Sequence, residues 1–185
     1  DTPIRFIASD VDGTLVNDAK SVDPEVVNAV RAARESGIRV AIASGRAWHE
    51  MDDVIAAMPC LRYFVCTNGA YVMDKEEQKE LVHISFDKTR AVDLVRKLMT
   101  YGVFVEAYVK AEIFGQYPVV GNETAQAEHF FRPNIRPFIL KTRTMVPDLL
   151  THLESLPEGP EKIQIFYGDE RIRERILADL RDEFQ

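Results

Sequence analysis

The sequence predicts an α/β protein, a doubly wound parallel sheet followed by a second unit that mixes helix and strand. Three observations predict it. Short apolar runs alternate with amphipathic helical patterns from residue 4 to about 74, each run stops at a turn signal, and near residue 83 that alternation gives way to a different texture.

Ile4 to Ser9 is an apolar run ending at an Asp-Gly turn, which reads as a buried strand. Asp23-Pro24-Glu25 is a helix start, with a capping acid, proline at the first helical position and an acid facing the positive helix end. Val26, Val30 and Ala33 then share one face, and Gly37 stops the helix. Ile38 to Ala43 forms a second strand. A helix carrying Met51, Val54, Ile55 and Met58 follows and stops at Pro59, and Tyr63 to Cys66 is a third strand closed by Asn68-Gly69. In the second unit, Asp87 caps a helix bearing Ala91, Leu94, Val95 and Leu98. Val103 to Val109 and Ala111 to Tyr117 alternate as an antiparallel pair. Helices are expected near 122–131 and 147–156, a strand over Lys162 to Tyr167, and a charged last helix over Asp169 to Glu183.

Composition narrows the function. Hydrophobic residues make up 46% and charged residues 29%, the balance of a globular chain with a core. The formal charge of −7, with lysines and arginines scattered, argues against general nucleic-acid binding. No apolar run is long enough for a membrane helix, and the start has no basic and apolar leader, so a cytoplasmic protein is expected. Opening on Asp1 rather than methionine suggests a chain beginning after its natural start, or processing. Cys60 and Cys66 make neither a disulfide framework nor a zinc pattern and are expected as reduced core residues. His49, His83, His129 and His152 lack ligand spacing, and Trp48 and Phe130-Phe131 suit packing better than base stacking.

Parallel sheets place their sites in the crevice beyond the carboxyl ends of the strands. Here those ends are Asp10-Val11-Asp12-Gly13-Thr14, Ser44-Gly45-Arg46 and Thr67-Asn68-Gly69-Ala70. The first is the sharpest. Two carboxylates two residues apart repel unless a divalent cation sits between them or one keeps its proton, and phosphoryl transfer uses both conditions. One carboxylate then attacks phosphorus and the other serves the leaving oxygen with a proton. An ordinary Asp-Gly turn with two solvated acids is the competing reading. Ser44-Gly45, at a strand end leading into a helix, suits a phosphate cradle but is also a common turn, and Arg46 is either a substrate ligand or a surface residue. Asn68-Gly69 is commoner still as a turn. Tyr117, Glu123 and Arg132 lie in or near loops of the second unit and are candidates for facing a substrate.

Together, Asp10-Val11-Asp12-Gly13-Thr14-Leu15, Ala43-Ser44-Gly45-Arg46 and Thr67-Asn68-Gly69-Ala70 resemble the haloacid dehalogenase superfamily, and more narrowly its Cof-type sugar-phosphate phosphatases. The match covers residues 4 to about 74; the remainder matches only in layout. The resemblance implies a Rossmann-like core over residues 1–80, with an inserted α+β cap over 81–185, and a magnesium-dependent phosphatase acting on a small phosphorylated metabolite. It makes Asp10 the nucleophile and Asp12 the general acid and then base. Mg²⁺ would be held by the Asp10 side chain and the Asp12 backbone carbonyl. The Val11 backbone, Ser44 and Gly45 would hold the transferring phosphate. The family's later lysine and acidic motif have no counterpart here. Gly168-Asp169-Glu170 is read as a helix cap, and little activity is expected of these residues alone. A phosphomutase of the same fold, a catalytically inactive relative and a receiver-type regulatory module are the alternatives.

Overall fold

A computed structural model describes residues 3–17 and 21–181; the expected N-terminal features at Asp1-Thr2 and the end of the last helix lie outside the described residues. The chain forms two compact units, Asp1–Ile84 and Ser85–Gln185.

The first unit is a five-stranded sheet in the order β1-β2-β3-β4-β5. Its strands are β1 (Phe6–Ser9), β2 (Arg39–Ala43), β3 (Tyr63–Cys66), β4 (Tyr71–Asp74) and β5 (Lys79–His83). β1, β2 and β3 run parallel, joined by the helices α1 (Pro24–Glu35) and α2 (Asp52–Ala57). β1 is not the buried strand that the apolar run Ile4 to Ser9 predicts: it pairs on one side only, at the sheet edge, and Phe6, Ile7 and Ala8 are exposed. β4 and β5 are antiparallel additions that the sequence did not announce. The reason is physical: β5 lies at the sheet edge with four of its five residues exposed, so Lys79 to His83 carries no buried face to read. The interior strand β2, by contrast, holds Val40, Ala41 and Ile42 at 5% exposure or less against Val54, Met58, Leu61 and Phe64. Pro24 opens α1 as expected, yet Asp23 does not cap it. Its Oδ1 instead accepts from Asn17 Nδ2 at 2.8 Å, bracing the loop that leaves β1. Arg62 closes bidentately on the buried Asp74 across the start of the β4–β5 hairpin.

The second unit contains α3 (Lys88–Met99), β6 (Phe104–Val109), β7 (Glu112–Gln116), α4 (Glu123–Phe130), α5 (Arg136–Thr142), β8 (Thr144–Met145), α6 (Leu149–Ser155), β9 (Lys162–Phe166) and α7 (Glu170–Arg181). Its sheet runs β8-β7-β6-β9, with β6 antiparallel to both neighbours. Side chains alternate across β6. Val105 and Ala107 join Val95, Leu98, Leu149 and Leu153 in one cluster, while Phe104 joins Tyr117, Phe130, Phe131 and Ile139 in another. Asp87, Asp148 and Asp169 cap their helices, accepting from the backbone N–H of Arg90, Thr151 and Arg171. Asp169 also binds the Arg171 guanidinium, which holds its carboxyl down to about 2. The short α5 and β8 were not expected, because seven residues opening on Arg136-Pro137 and a two-residue strand leave no periodic pattern. Among the described residues, no helix is long and apolar enough to cross a membrane.

Candidate active site

The loop after β1 is coiled around a single carbonyl. The backbone N–H groups of Thr14, Leu15 and Val16 all reach the Val11 oxygen, at 3.3, 3.0 and 3.0 Å. Gly13 makes this coil possible with φ +75°, a conformation that costs glycine little. Val11 is fully buried in the core, which anchors the coil and leaves Asp10 and Asp12 on either side of it exposed to solvent.

Arg46, 34 residues later, reaches this loop. Its Nε and Nη2 bind Asp12 Oδ2 and Oδ1 at 2.8 and 2.7 Å, a fork-to-fork pair. The guanidinium is itself held, since Nη1 donates to the Glu50 carbonyl at 3.0 Å. Glu50 is buried, and its carboxylate accepts from the Ala47 N–H at 2.7 Å, so the 3₁₀ turn Trp48–Met51 is fastened to the strand end. Trp48 packs edge-on against Phe64, with ring centroids 5.2 Å apart.

Ser44 continues β2 by donating its N–H to the Val65 carbonyl at 2.9 Å, and its hydroxyl accepts from the Arg46 N–H at 3.3 Å. The turn after β3 then clasps this segment. Thr67 N–H donates to the Arg46 carbonyl at 2.9 Å and Asn68 N–H to the Ser44 carbonyl at 3.1 Å. Three successive residues there are left-handed: Thr67 at φ 50°, Asn68 at 56° and Gly69 at 97°. For a β-branched threonine that backbone is strained. Thr67 is also buried at 2% exposure, with an Oγ1 that has no hydrogen-bond partner among the described residues. The Asn68 side chain lies against Gly45, its Oδ1 2.8 Å from where a Cβ would stand.

The structure thus joins the three strand ends through Arg46–Asp12 and through the clasp of Thr67 and Asn68 on Ser44 and Arg46. Sequence reasoning placed Asp10, Val11, Asp12, Ser44, Gly45 and Arg46 in one crevice. It did not single out Glu50, which carries no motif; it placed Thr67-Asn68-Gly69 at the third strand end but weighed it mainly as an Asn-Gly turn. For a hard cation the donors of the right kind are the exposed Asp10 carboxylate and the Asp12 backbone carbonyl, since the Asp12 carboxylate is occupied by Arg46. Oxygen donors of this kind fit Mg²⁺, which commonly takes one or two protein ligands and keeps water for the rest. No group of three or more His, Cys, Asp or Glu side chains is gathered for a metal among the described residues.

In the second unit, Tyr117 is buried against Phe104 and Phe131, and burial pushes its phenol up. Glu123 opens α4 in the open, and Arg132 lines an exposed groove of about 640 Å³ together with His129, Arg136 and Tyr167. Cys66 is buried and Cys60 partly so, and neither is in a disulfide.

Comparison with known proteins gives a consistent picture. A family model described as haloacid dehalogenase-like hydrolase matches residues 7–184. The phosphatase YwpJ of Bacillus subtilis is 30% identical over 125 residues, covering 68% of this chain and 43% of that protein. Among solved structures, a haloacid dehalogenase-like hydrolase from B. subtilis superposes with TM-score 0.75 at 22% identity, over 97% of this chain and 67% of that one. A structure described as the HAD subclass IIB sugar phosphatase BT4131 gives TM-score 0.70 at 17% identity, over 94% and 62%. The chain spans about half the length of the curated relatives it matches.

Proposed function

We propose that this chain, which belongs to the haloacid dehalogenase-like hydrolase family, hydrolyses a small phosphomonoester through a phosphoryl group carried on Asp10. The observation that supports this best is the bidentate Arg46–Asp12 pair. It brings the loop after β1 onto the loop after β2, so that two acids and the Ser44-Gly45 turn share one strand-end site.

In the first step an Asp10 oxygen attacks phosphorus, the P–O bond to the ester oxygen breaks, and Asp12 gives that oxygen a proton. In the second, water attacks the phospho-aspartate, Asp12 takes the proton, and the Asp10–phosphorus bond breaks to free inorganic phosphate. Asp10 and the Asp12 backbone carbonyl would hold Mg²⁺, which supplies charge neutralisation of the phosphate. The Val11 backbone, Ser44 and Gly45 orient the transferring group, and the left-handed turn behind them keeps that cradle from relaxing.

Arg46 acquires a defined role in this reading. Two charge-assisted hydrogen bonds favour the carboxylate form of Asp12, the form needed to accept a proton from water. To act first as an acid, Asp12 must bind a proton, and its bonds to Arg46 then weaken. The guanidinium freed in that half-reaction is available to the anionic substrate, which unites its pairing with Asp12 and its expected contact with substrate. Residues from about 81 onward serve as the cap that selects among small phosphorylated metabolites. The net charge of −7 disfavours a nucleic-acid backbone as substrate.

The test is release of inorganic phosphate from a panel of small phosphomonoesters, with and without Mg²⁺. Slow release that needs both the metal and Asp10 is expected. Release of equal rate from Asp10→Asn, or the appearance of an isomerised sugar phosphate in place of inorganic phosphate, would sink the reading.

A further inference from the structure

The amino ends of β2 and β3 lie at the end of the sheet away from the candidate site, since Arg39 opens the strand that closes at Ala43 and Tyr63 opens the one that closes at Cys66. Five residues of extended chain put Arg39 about 16 Å from Ser44. At these strand starts is a cavity of about 190 Å³, lined by Arg34, Arg39, Val40, Arg62, Tyr63 and Glu76. It gathers three guanidinium groups against one carboxylate, a local excess of positive charge in a chain whose formal charge is −7. Like charges disfavour such a gathering unless acids of the chain or an anion from outside offset them.

Two of the three arginines converge on one carboxylate. Arg34 Nη2 and Arg62 Nη1 reach Glu76 Oε1 and Oε2, each at 3.3 Å. Glu76 therefore marks where an anion is gripped from two sides, one oxygen to each guanidinium. The grip is loose. Both distances are long for charge-assisted hydrogen bonds, and Glu76, on the turn between β4 and β5, keeps 45% of its side-chain surface exposed. Arg62 does not depend on Glu76 for its place. Its Nε and Nη2 are fastened to the buried Asp74 at 2.9 and 2.6 Å, and its guanidinium lies over the Tyr63 ring, 5.0 Å from the centroid. The Arg39 side chain makes no hydrogen bond or ion pair among the described residues. Guanidinium forks match carboxylates and tetrahedral oxyanions. The cavity falls below the roughly 300–1,000 Å³ of sites for larger organic ligands, which leaves a small oxyanion.

We propose that this cavity is a second anion site, in which Arg34, Arg39 and Arg62 take a small dianionic oxyanion in place of the Glu76 carboxylate. Glu76 is then a competitor built into the β4–β5 turn, displaced when the anion enters. The site is separate from the strand-end acids and stands without the phosphatase reading.

The test is a sulfate titration of the isotope-labelled chain, followed by amide NMR at constant ionic strength with EDTA present. The backbone N–H groups of Arg39, Val40 and Tyr63 report on this cavity, and those of Ser44 and Gly45 report separately on the candidate active site. Saturable shifts are expected at the first set. Glu76→Gln removes the competitor and is expected to tighten sulfate binding about tenfold, while Arg39→Gln is expected to weaken it about tenfold, the loss of one charge-assisted contact. Both positions are exposed, and unfolding temperatures near that of the parent would show that both variants fold. Shifts at the first set that rise without saturating, the mark of an adventitious ion only, overturn the site. So does an Arg39→Gln chain that binds as tightly as the parent, or a Glu76→Gln chain that binds no tighter.

Discussion

Two sets of buried polar groups, one in each unit, are held in opposite ways. In the first, they gather at strand ends and are left under tension: Ser44 and Glu50 hold the backbone around Arg46, and Thr67 is strained and incompletely bonded. In the second, the main buried charge sits mid-sheet and is satisfied. Glu106, fully buried on β6, accepts from Arg143 Nε and Nη2 at 3.0 and 3.2 Å and from the Tyr108 hydroxyl at 2.9 Å, while Arg143 also reaches Thr142. A closed network of this kind fixes packing, whereas an open and strained one keeps groups ready for a ligand. The difference separates the strained Thr67 turn from the closed Glu106 network and is not one between whole units, since Arg136 Nε and His152 Nε2 of the second unit are also buried without a hydrogen-bond partner among the described residues.

Four changes would break or sharpen that contrast. The largest effect is expected from Asp10→Asn, which should lower phosphate release by more than about a thousandfold while leaving the unfolding temperature unchanged, as assay and calorimetry would show. A stability loss in its place would mean that Asp10 belongs with the structural acids. Arg143→Met leaves Glu106 buried without its cation and is expected to cost about 3–5 kcal/mol in urea unfolding; the double change Glu106→Leu with Arg143→Met should recover most of it. Gly115→Ala comes next. A Cβ there would overlap the ring of Phe104, which stacks edge-on with Tyr117, Phe131 and Phe166, and a loss of about 1–3 kcal/mol should follow in the same measurement.

The smallest effect tests a charged pair that is structural yet lies in the first unit. The Arg62 guanidinium beside it, together with the Glu76 and Glu77 N–H groups, holds the Asp74 carboxyl below its usual value. A depressed folded-state pKa stabilises the fold above the unfolded value, and that contribution is lost as pH falls through the folded one. Asp74→Asn is therefore expected to lower the unfolding temperature at neutral pH and to flatten its decline in acid. An acid limb of unchanged slope would assign the pH dependence to other carboxylates.

The parallel strands were legible because each is an apolar run flanked by turn residues, and the helices because their faces repeat. β4 and β5 were not, since an exposed edge strand such as Lys79 to His83 has no pattern that distinguishes it from a loop. The acids of the candidate site were visible as a local motif. Their partner was not: the pairing of Arg46 with Asp12 spans 34 residues and follows from sheet order rather than from any spacing. Thr67 was the least legible of all. Sequence preference assigns a β-branched residue after a strand to extended backbone, and only the clasp on Ser44 and Arg46 forces it left-handed.

The central strand β6 has a consequence for how the molecule is made. It pairs with β7 directly after it and with β9, whose residues 162–166 arrive some fifty positions later, and the Phe86 N–H bonds to the Pro160 carbonyl just ahead of β9. During synthesis, then, the earliest residues of the second unit must wait with an open flank until β9 leaves the ribosome, while the hairpin partners of the first unit are already in hand. Ribosome-bound chains halted before residue 162 should contain a settled amino-terminal sheet and an unsettled carboxyl-terminal one, a division that limited proteolysis of such chains would register.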